Sequence, residues 1–533
     1  MSGEKSVSPR RRFAAIRPDF GGQDAVCAVL SGLLLTVAFR PFAMSWVAWV
    51  ALLPVGWTVL RTSRWGCVQV AVLCGVVHWV SSVWWVGKVT SAGMIALALY
   101  CALYFIPPLL IWRGWDRRCG WKGGRGVVGL LLVAAAWSGT EQVRATVLTG
   151  FPWNMLGVSQ VDWTALIGIA DLGGVVAVSF LVMAANVVCL AMVTGPLRER
   201  WAMGVTVAVL LAGACVYGSQ REREQSSDIA GLKIGLVQPN IPLDEKWDMA
   251  LIERIFRVLE RQTLPLANAN ADLIVWPETV LPFFLTEDPR QLAFIYTLLS
   301  NGSPILAGSM HTEDRHAEPM EMMNSSLFFA GAGEARNASP TRYDKQHLVL
   351  VGEYVPWPDV LLPILQTFSP MQENVTPGEE TVLFRLQEDP AESNPFSVLI
   401  CFEDTMPYLA RRAARKGATW LVNQTNDGWF DGTPGSRQHL ANARFRCVEN
   451  RMPMVRSTNT GATAAVDAAG RITDLLDDGA GNVVLQEGRL LVDVIPSDGV
   501  QTIYTRWGDV FGWSCTVLSF LGGVMVWLKG RRA

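Results

Sequence analysis

Charge is scarce in this chain: Asp, Glu, Lys and Arg make up 17% of its 533 residues, against 50% hydrophobic. That balance, with 22 Trp, excludes an ordinary soluble enzyme. The formal net charge is −2 and the hydrophilic part carries no basic stripe, so nothing favours nucleic acid. Of the ten cysteines, Cys27, Cys67, Cys74, Cys101, Cys119, Cys189, Cys215 and Cys515 lie in or beside apolar runs, where a thiol behaves as a small hydrophobe. Cys401 and Cys447 remain. Two are too few for a disulfide framework, and the hydrophilic part does not group enough Cys and His for a metal site. No internal repeat is visible.

Long apolar stretches dominate the first 220 residues. They predict spans at 21–39, 43–60, 66–86, 91–112, 126–148, 162–194 and 201–218, with another at 508–528. Crossing the hydrocarbon core takes roughly 20 residues, so the second is short and the sixth overlong. Lys and Arg set the orientation. Arg10, Arg11, Arg12 and Arg17 precede span one, and Arg61 and Arg64 follow span two. Arg113, Arg117, Arg118, Lys122 and Arg125 follow span four, Arg198 and Arg200 follow span six, and Lys529, Arg531 and Arg532 end the chain. Both termini are therefore expected in the cytoplasm, with the hydrophilic block outside it. The basic start followed by an apolar run resembles a signal peptide, but lacks a convincing small-residue cleavage site and reads as a retained span.

The expected division is 1–220, a membrane domain of about seven helices; 221–500, an extracytoplasmic catalytic domain; and 501–533, a final span with a cytoplasmic tail. Within the middle part, strand-like runs bounded by Gly, Pro and Asn fall at 232–238, 271–277, 304–310, 324–330, 382–386, 396–402, 418–425, 453–458, 462–467 and 488–494. Helical patterns fall at 248–267, 288–300, 406–416 and 436–451. The alternation predicts a layered α/β domain.

Three signatures punctuate this block: Val275-Trp276-Pro277-Glu278, Tyr343-Asp344-Lys345-Gln346-His347 and Leu399-Ile400-Cys401-Phe402-Glu403-Asp404. A carboxylate, an amine and a thiol, each beside a strand-like run, are the parts of acyl transfer through a thioester. The membrane bundle points to lipid as the acyl source. Cys401 is the expected nucleophile, Glu278 the general base and Lys345 the electrostatic stabiliser, with the Phe402 N–H facing the developing oxyanion. A Cys–His mechanism through His347 or His439 is disfavoured, because Lys and Glu already supply base and stabiliser.

In this order, the three signatures resemble the nitrilase (carbon–nitrogen hydrolase) superfamily, which implies a four-layer α-β-β-α sandwich. Further segments resemble the apolipoprotein N-acyltransferase family. They are Thr149-Gly150-Phe151-Pro152-Trp153, Gln238-Pro239-Asn240-Ile241-Pro242 with Lys246-Trp247-Asp248, Gly352-Glu353-Tyr354-Val355-Pro356, Asn426-Asp427-Gly428-Trp429-Phe430 and Arg456-Ser457-Thr458-Asn459. The resemblance implies a bacterial inner-membrane enzyme with no cofactor. Its acyl donor is implied to be a phospholipid, phosphatidylethanolamine in particular, and its acceptor the α-amine of a diacylglyceryl-cysteine on an apolipoprotein. It also implies that Glu353 supports the lysine and that Glu403 fixes the nucleophile loop. Phe402 stands where the family commonly has Tyr, so no hydroxyl acts there.

Trp247 and Trp429 are read either as lining an acyl or headgroup pocket or as core anchors. Glu141 and Arg144, three residues apart in span five, are expected to pair, for structure or for a lipid headgroup. The apolar runs Leu281–Leu285 and Trp357–Leu365 are expected to dip into the outer leaflet. Two other readings are a membrane-tethered amidase with water as acceptor and, more weakly, a transporter with an accessory outer domain; for the latter no paired ionisable pathway or inverted repeat is evident.

Overall fold

The computed structural model describes residues 20–224, 230–246, 249–282, 284–314, 316–317, 320–330, 339–350, 352–355, 375–387, 394–430 and 432–531. Its membrane part is α-helical. The helices are α1 (Gly22–Val37), α2 (Leu53–Val59), α3 (Arg64–Ser82), α4 (Ser91–Leu103), α5 (Ile106–Arg118), α6 (Gly124–Arg144), α7 (Val175–Thr194) and α8 (Leu197–Arg223). Among the described residues six helical stretches are long and apolar enough to cross a membrane: α3, α4 with α5, α6, α7, most of α8, and Val510–Gly530 near the chain end. Gly22–Val37 and Ser45–Val59, each expected to be a span, are shorter.

The breaks have local causes. Pro107 and Pro108 sit in the first turn of α5, where they lack the N–H that would continue α4. Ahead of α7 the overlong apolar run splits into two single turns, Thr164–Ile167 and Ala170–Gly173, with Gly174 at φ +72° before α7 starts. Inside the bundle Asn186 of α7 accepts from the Leu52 N–H at 2.9 Å and donates to the Ala48 carbonyl at 2.8 Å. That side chain satisfies backbone groups where the second apolar run is not fully helical.

Between the bundle and the last helix lie two sheets. Their strands are β1 (Leu232–Gln238), β2 (Leu273–Val275), β3 (Ile305–His311), β4 (Met323–Phe329), β5 (Thr341–Asp344), β6 (Phe396–Ile400), β7 (Trp420–Thr425), β8 (Met454–Thr458), β9 (Ala464–Val466), β10 (Ile472–Leu475) and β11 (Gly488–Val494). One sheet has the order β11-β1-β2-β3-β4-β5 and the other β10-β9-β8-β7-β6. In the first sheet β1-β2-β3 run parallel between antiparallel flanks; in the second, β6-β7-β8 run parallel from the β6 edge, and β9 and β10 add antiparallel strands on the other side.

Side-chain alternation makes the layers. Leu273 and Val275 of β2, and Val398 and Ile400 of β6, meet between the sheets. Ile274 instead joins α9 (Ile252–Asn268) and α10 (Pro289–Leu299) on the outside of the first sheet. Leu399 joins α11 (Pro407–Lys416) and α12 (Gly435–Asn450) on the outside of the second. The architecture is the α-β-β-α sandwich. The run at 382–386 forms only an isolated bridge, Phe384 to Phe396, and two strands, β5 and β10, are polar edge strands outside the apolar runs.

Helix α12 has no exposed face. Ala441, Phe445 and Val448 pack into the membrane bundle, while Leu440, Ala443 and Cys447 pack onto the second sheet. The chain closes with α13 (Val510–Arg531), which lies against α6 so closely that a Cβ on Gly139 would stand 2.7 Å from the Thr516 nitrogen.

Candidate active site

Strand β2 ends at Val275, and Trp276 continues its line, donating its indole N–H to Thr263 at 3.0 Å while its carbonyl accepts from the Gln424 side chain at 2.6 Å. Beyond Pro277 the backbone turns, with Thr279 at φ +40°. This turn fits because β3 has glycine behind it. A Cβ on Gly308 would lie 2.4 Å from the Pro277 oxygen and 2.7 Å from the Glu278 Cα. Glu278 is buried, and both its oxygens are held: Oε2 accepts from the Asn426 N–H at 2.8 Å, and Oε1 from the Asn324 amide at 2.8 Å and from Lys345 Nζ at 3.4 Å.

Lys345 follows β5, and its side chain is 1% exposed. Its ammonium lies between Glu278 and Glu353, donating to Glu353 Oε1 at 2.7 Å. Burial opposes the charge, but Glu353 and Glu278 outweigh it and raise the pKa above the ordinary lysine value. Glu353 is fixed in turn by the Val349 N–H at 2.9 Å.

Cys401 is the first residue after β6. It adopts φ +52°, a left-handed conformation costing a non-glycine residue roughly 1 kcal/mol or more, and opens the 3-10 turn Cys401–Thr405. Neighbours hold the strain. Asn423 donates to the Leu399 and Cys401 carbonyls at 3.0 and 3.2 Å. Burial first, and then the charge of Glu278, push the thiol pKa well above its usual value, while Lys345 pulls it down. The thiol thus rests protonated beside a carboxylate and an ammonium. Such a group needs a base before it can attack.

Glu403 ties these pieces together. Its Oε2 accepts from the Ile400 N–H at 2.7 Å and the Tyr343 hydroxyl at 2.8 Å, and its Oε1 from the N–H groups of Gln346 and His347 at 2.7 and 3.0 Å. One carboxylate therefore joins the strand delivering the thiol to the segment delivering the lysine. Burial raises its pKa to about 7 against the pull of those hydrogen bonds.

Below the thiol lies a closed charge cluster. Arg456, fully buried, meets Asp404, Asp427 at 3.2 Å and Asn423 at 2.7 Å. His439 sits between Asp404 at 2.7 Å and Asp427 at 3.1 Å. Burial opposes its charge, but the two aspartates outweigh that and raise its pKa. His347 points to the Tyr408 hydroxyl at 3.1 Å, and burial lowers its pKa to about 4. Both rings are committed to these partners.

The site faces the bundle. Phe402 stacks on Trp153 with centroids 6.1 Å apart and planes 9° from parallel, and on Phe151 at 6.4 Å. Trp153 and Trp85 each donate their indole N–H to Gln438 of α12, at 2.9 and 3.1 Å. Trp429 is 48% exposed, on the turn after β7.

Glu141 and Arg144 do not form the expected ion pair. Arg144 donates to the Phe151 and Trp153 carbonyls at 2.6 and 2.9 Å, while Glu141 accepts from the Trp137 indole at 2.9 Å and the Leu156 N–H at 2.7 Å. Each charge satisfies backbone groups of the irregular segment after α6 rather than pairing with the other. Both line one small cavity with His78, Trp79 and Tyr104. Leu281 and Leu285 are fully buried beside Trp276 in the outer core of the first sheet, so that loop does not present them to lipid. Trp247 and the run Trp357–Leu365 lie outside the described residues.

Residues 31–188 match the family model described as apolipoprotein N-acyltransferase N-terminal domain, and residues 233–489 match carbon-nitrogen hydrolase. The chain is 33% identical to an apolipoprotein N-acyltransferase of Geobacter metallireducens, covering 93% of this chain and 95% of that one. The chain belongs to the apolipoprotein N-acyltransferase family. A Brucella melitensis apolipoprotein N-acyltransferase is 30% identical, with 94% of each chain covered. Among solved structures, the Saccharomyces cerevisiae nitrilase-superfamily protein Nit3 is similar at a TM-score of 0.37 and 19% identity, covering 51% of this chain and 93% of that one. The chain is a multi-pass membrane acyltransferase.

Several residues of this acyltransferase site carry no signal in the sequence. Asn324 is a single amide inside an otherwise ordinary strand. Asn423 and Gln424 look like strand polarity until the fold sets them against Cys401 and Trp276. Lys246 opens the Lys246-Trp247-Asp248 motif, yet nothing local marks it as buried.

Proposed function

We propose that the enzyme transfers a fatty acyl chain from a glycerophospholipid to the α-amine of a diacylglyceryl-cysteine at the start of an apolipoprotein, through a thioester on Cys401. What carries this reading is one arrangement: a half-buried thiol acted on by Glu278 and Lys345, on a loop whose next residue stacks against the membrane bundle.

In the first half-reaction the thiol proton passes to Glu278 as the sulfur attacks the ester carbonyl. Negative charge moves to the carbonyl oxygen, opposite Lys345 and the Phe402 N–H. Collapse breaks the ester bond, and the departing glycerol oxygen takes the proton from Glu278, leaving lysophospholipid and acyl-enzyme. In the second, the acceptor amine attacks the thioester and gives its proton to Glu278. Sulfur leaves, regains that proton, and an amide remains. Glu353 holds the lysine in place, and Glu403 fixes the loop. No cofactor takes part. Phosphatidylethanolamine is the proposed donor, and Trp247 and Trp429 line its path. Glu141 and Arg144 shape the floor beneath through the Phe151–Trp153 segment.

Water competes with the amine, and the apolar approach disfavours it. Given phospholipid alone, the enzyme should load one acyl chain per Cys401 and then hydrolyse it slowly. Rapid repeated release of fatty acid, followed in detergent micelles, would instead favour the tethered amidase.

The proposed division is 1–220 in the membrane, 221–500 catalytic and 501–533 returning, in a bacterial inner membrane, with termini in the cytoplasm and the sandwich outside it. The Lys and Arg asymmetry supports this. The exposed turn Asp477–Gly481 reports it. Protease added to intact spheroplasts should cut there. Protection until the cells are lysed would reverse the orientation.

A further inference from the structure

Lys246 ends the short helix Leu243–Lys246 between β1 and α9, and it is 2% exposed. Its Nζ donates to the Thr279 hydroxyl, on the residue after Glu278, where the backbone is left-handed. Its charge also acts on Glu278 and Cys401. Burying an ammonium is costly, and an apolar chain of the same length would pack there without that cost. Stability therefore does not explain the amine.

Charge balance does. Lys345 lies between Glu278 and Glu353, so those three groups sum to −1. With neutral Cys401 included the total is still −1; moving the Cys401 proton to Glu278 keeps that total but places the negative charge on sulfur and then on the carbonyl oxygen, in a low-dielectric site where such charge is expensive. A second cation beside Glu278 and Cys401 brings the group to neutrality. Among the described residues, the charge facing Lys246 across Glu278 is Lys345, and on its own helix the charged neighbour is Glu245, which is paired with Arg254 at 2.6 Å.

We propose that Lys246 is a positioning residue of the acyl transfer: it anchors the Glu278 turn through Thr279 and neutralises the Glu278–Lys345–Glu353 group, so that Cys401 is acylated only while Lys246 carries its proton. It keeps that proton throughout the reaction. This rests on the thioester reading above.

Burial lowers its pKa to about 8, against the opposing pull of Glu278 and Cys401. The ammonium is thus present at neutral pH and lost as pH rises through that value. The test uses full-length enzyme in detergent micelles with dioleoylphosphatidylethanolamine. Single-turnover acylation of Cys401 is read by intact-protein mass spectrometry from about pH 6 to about pH 10. The wild-type rate should fall above about pH 8. Lys246→Arg, which cannot lose its charge in this range, should stay within roughly tenfold at neutral pH and lose the alkaline fall. Lys246→Met should acylate at least about 100-fold more slowly, with no alkaline fall left.

A Lys246→Met rate within about threefold of wild type would overturn the proposal, as would a wild-type alkaline fall retained in Lys246→Arg. Should neither variant fold, a wild-type profile that is flat between about pH 7 and about pH 9.5 overturns it alone. If wild type forms no Cys401 adduct at any pH, the thioester reading fails; if the adduct forms but the profiles coincide, only the role of Lys246 fails.

Discussion

Cys401→Ser should fold, bind lipid and form no acyl adduct, with turnover reduced by at least roughly 10⁴-fold. The reason is the resting state of the site. Burial and the charge of Glu278 already push the thiol pKa well above its ordinary value, so a carboxylate removes even this proton only as attack proceeds. A serine hydroxyl in that place is harder still to deprotonate. Its oxygen would also sit on a shorter bond than sulfur's, on a loop already held at φ +52°. Intact-protein mass spectrometry after incubation with phospholipid checks this directly, and an acylated Cys401→Ser enzyme would remove the nucleophile from the scheme.

Lys345→Met should have the next largest effect, and on two observables at once. The side chain is buried between two carboxylates, so its loss leaves Glu278 and Glu353 facing each other with no cation between them. Breaking such a buried group by removing one partner costs about 3–5 kcal/mol. Loss of charge opposite the oxyanion should lower the acylation rate by roughly 10³-fold as well. The two effects separate in a second variant. Lys345→Met with Glu353→Gln removes one of the opposed charges and should recover part of the thermal stability, but none of the rate. If the double variant regains both, the lysine matters only for packing. If Lys345→Met alone acylates at the wild-type rate, it has no part in the chemistry.

What could be read from the chain followed from periodicity. The strands that deliver Glu278 and Cys401 are apolar runs ended by proline or by a polar cluster, and the sandwich builds from their alternation. The edge strand before Lys345, Thr341–Asp344, escaped because three of its four residues are polar or charged and only Tyr343 is deeply buried. Span-like runs were legible as apolar, but not their interruptions: paired prolines split one, and another became two single turns ahead of a glycine kink. Glu141 and Arg144 share a helical face, as their spacing implies. Their partners come from the segment beyond the helix, which no local rule reveals. Lys246 was hidden for the converse reason. A lysine between acidic neighbours reads as solvated, and only the fold of distant strands takes it out of water.

Helix α12 bears on how this enzyme can be handled and how it can vary. It is a party wall, with greasy contacts toward the helical bundle on one side and the sheet holding the sulfur on the other. Cutting the hydrolase-like half free would strip Phe445 and Val448 of their cover. A harsh detergent that loosens the spans reaches the chemistry through the same rod. A substitution anywhere along α12 must therefore suit two interiors at once, leaving this helix little latitude to drift.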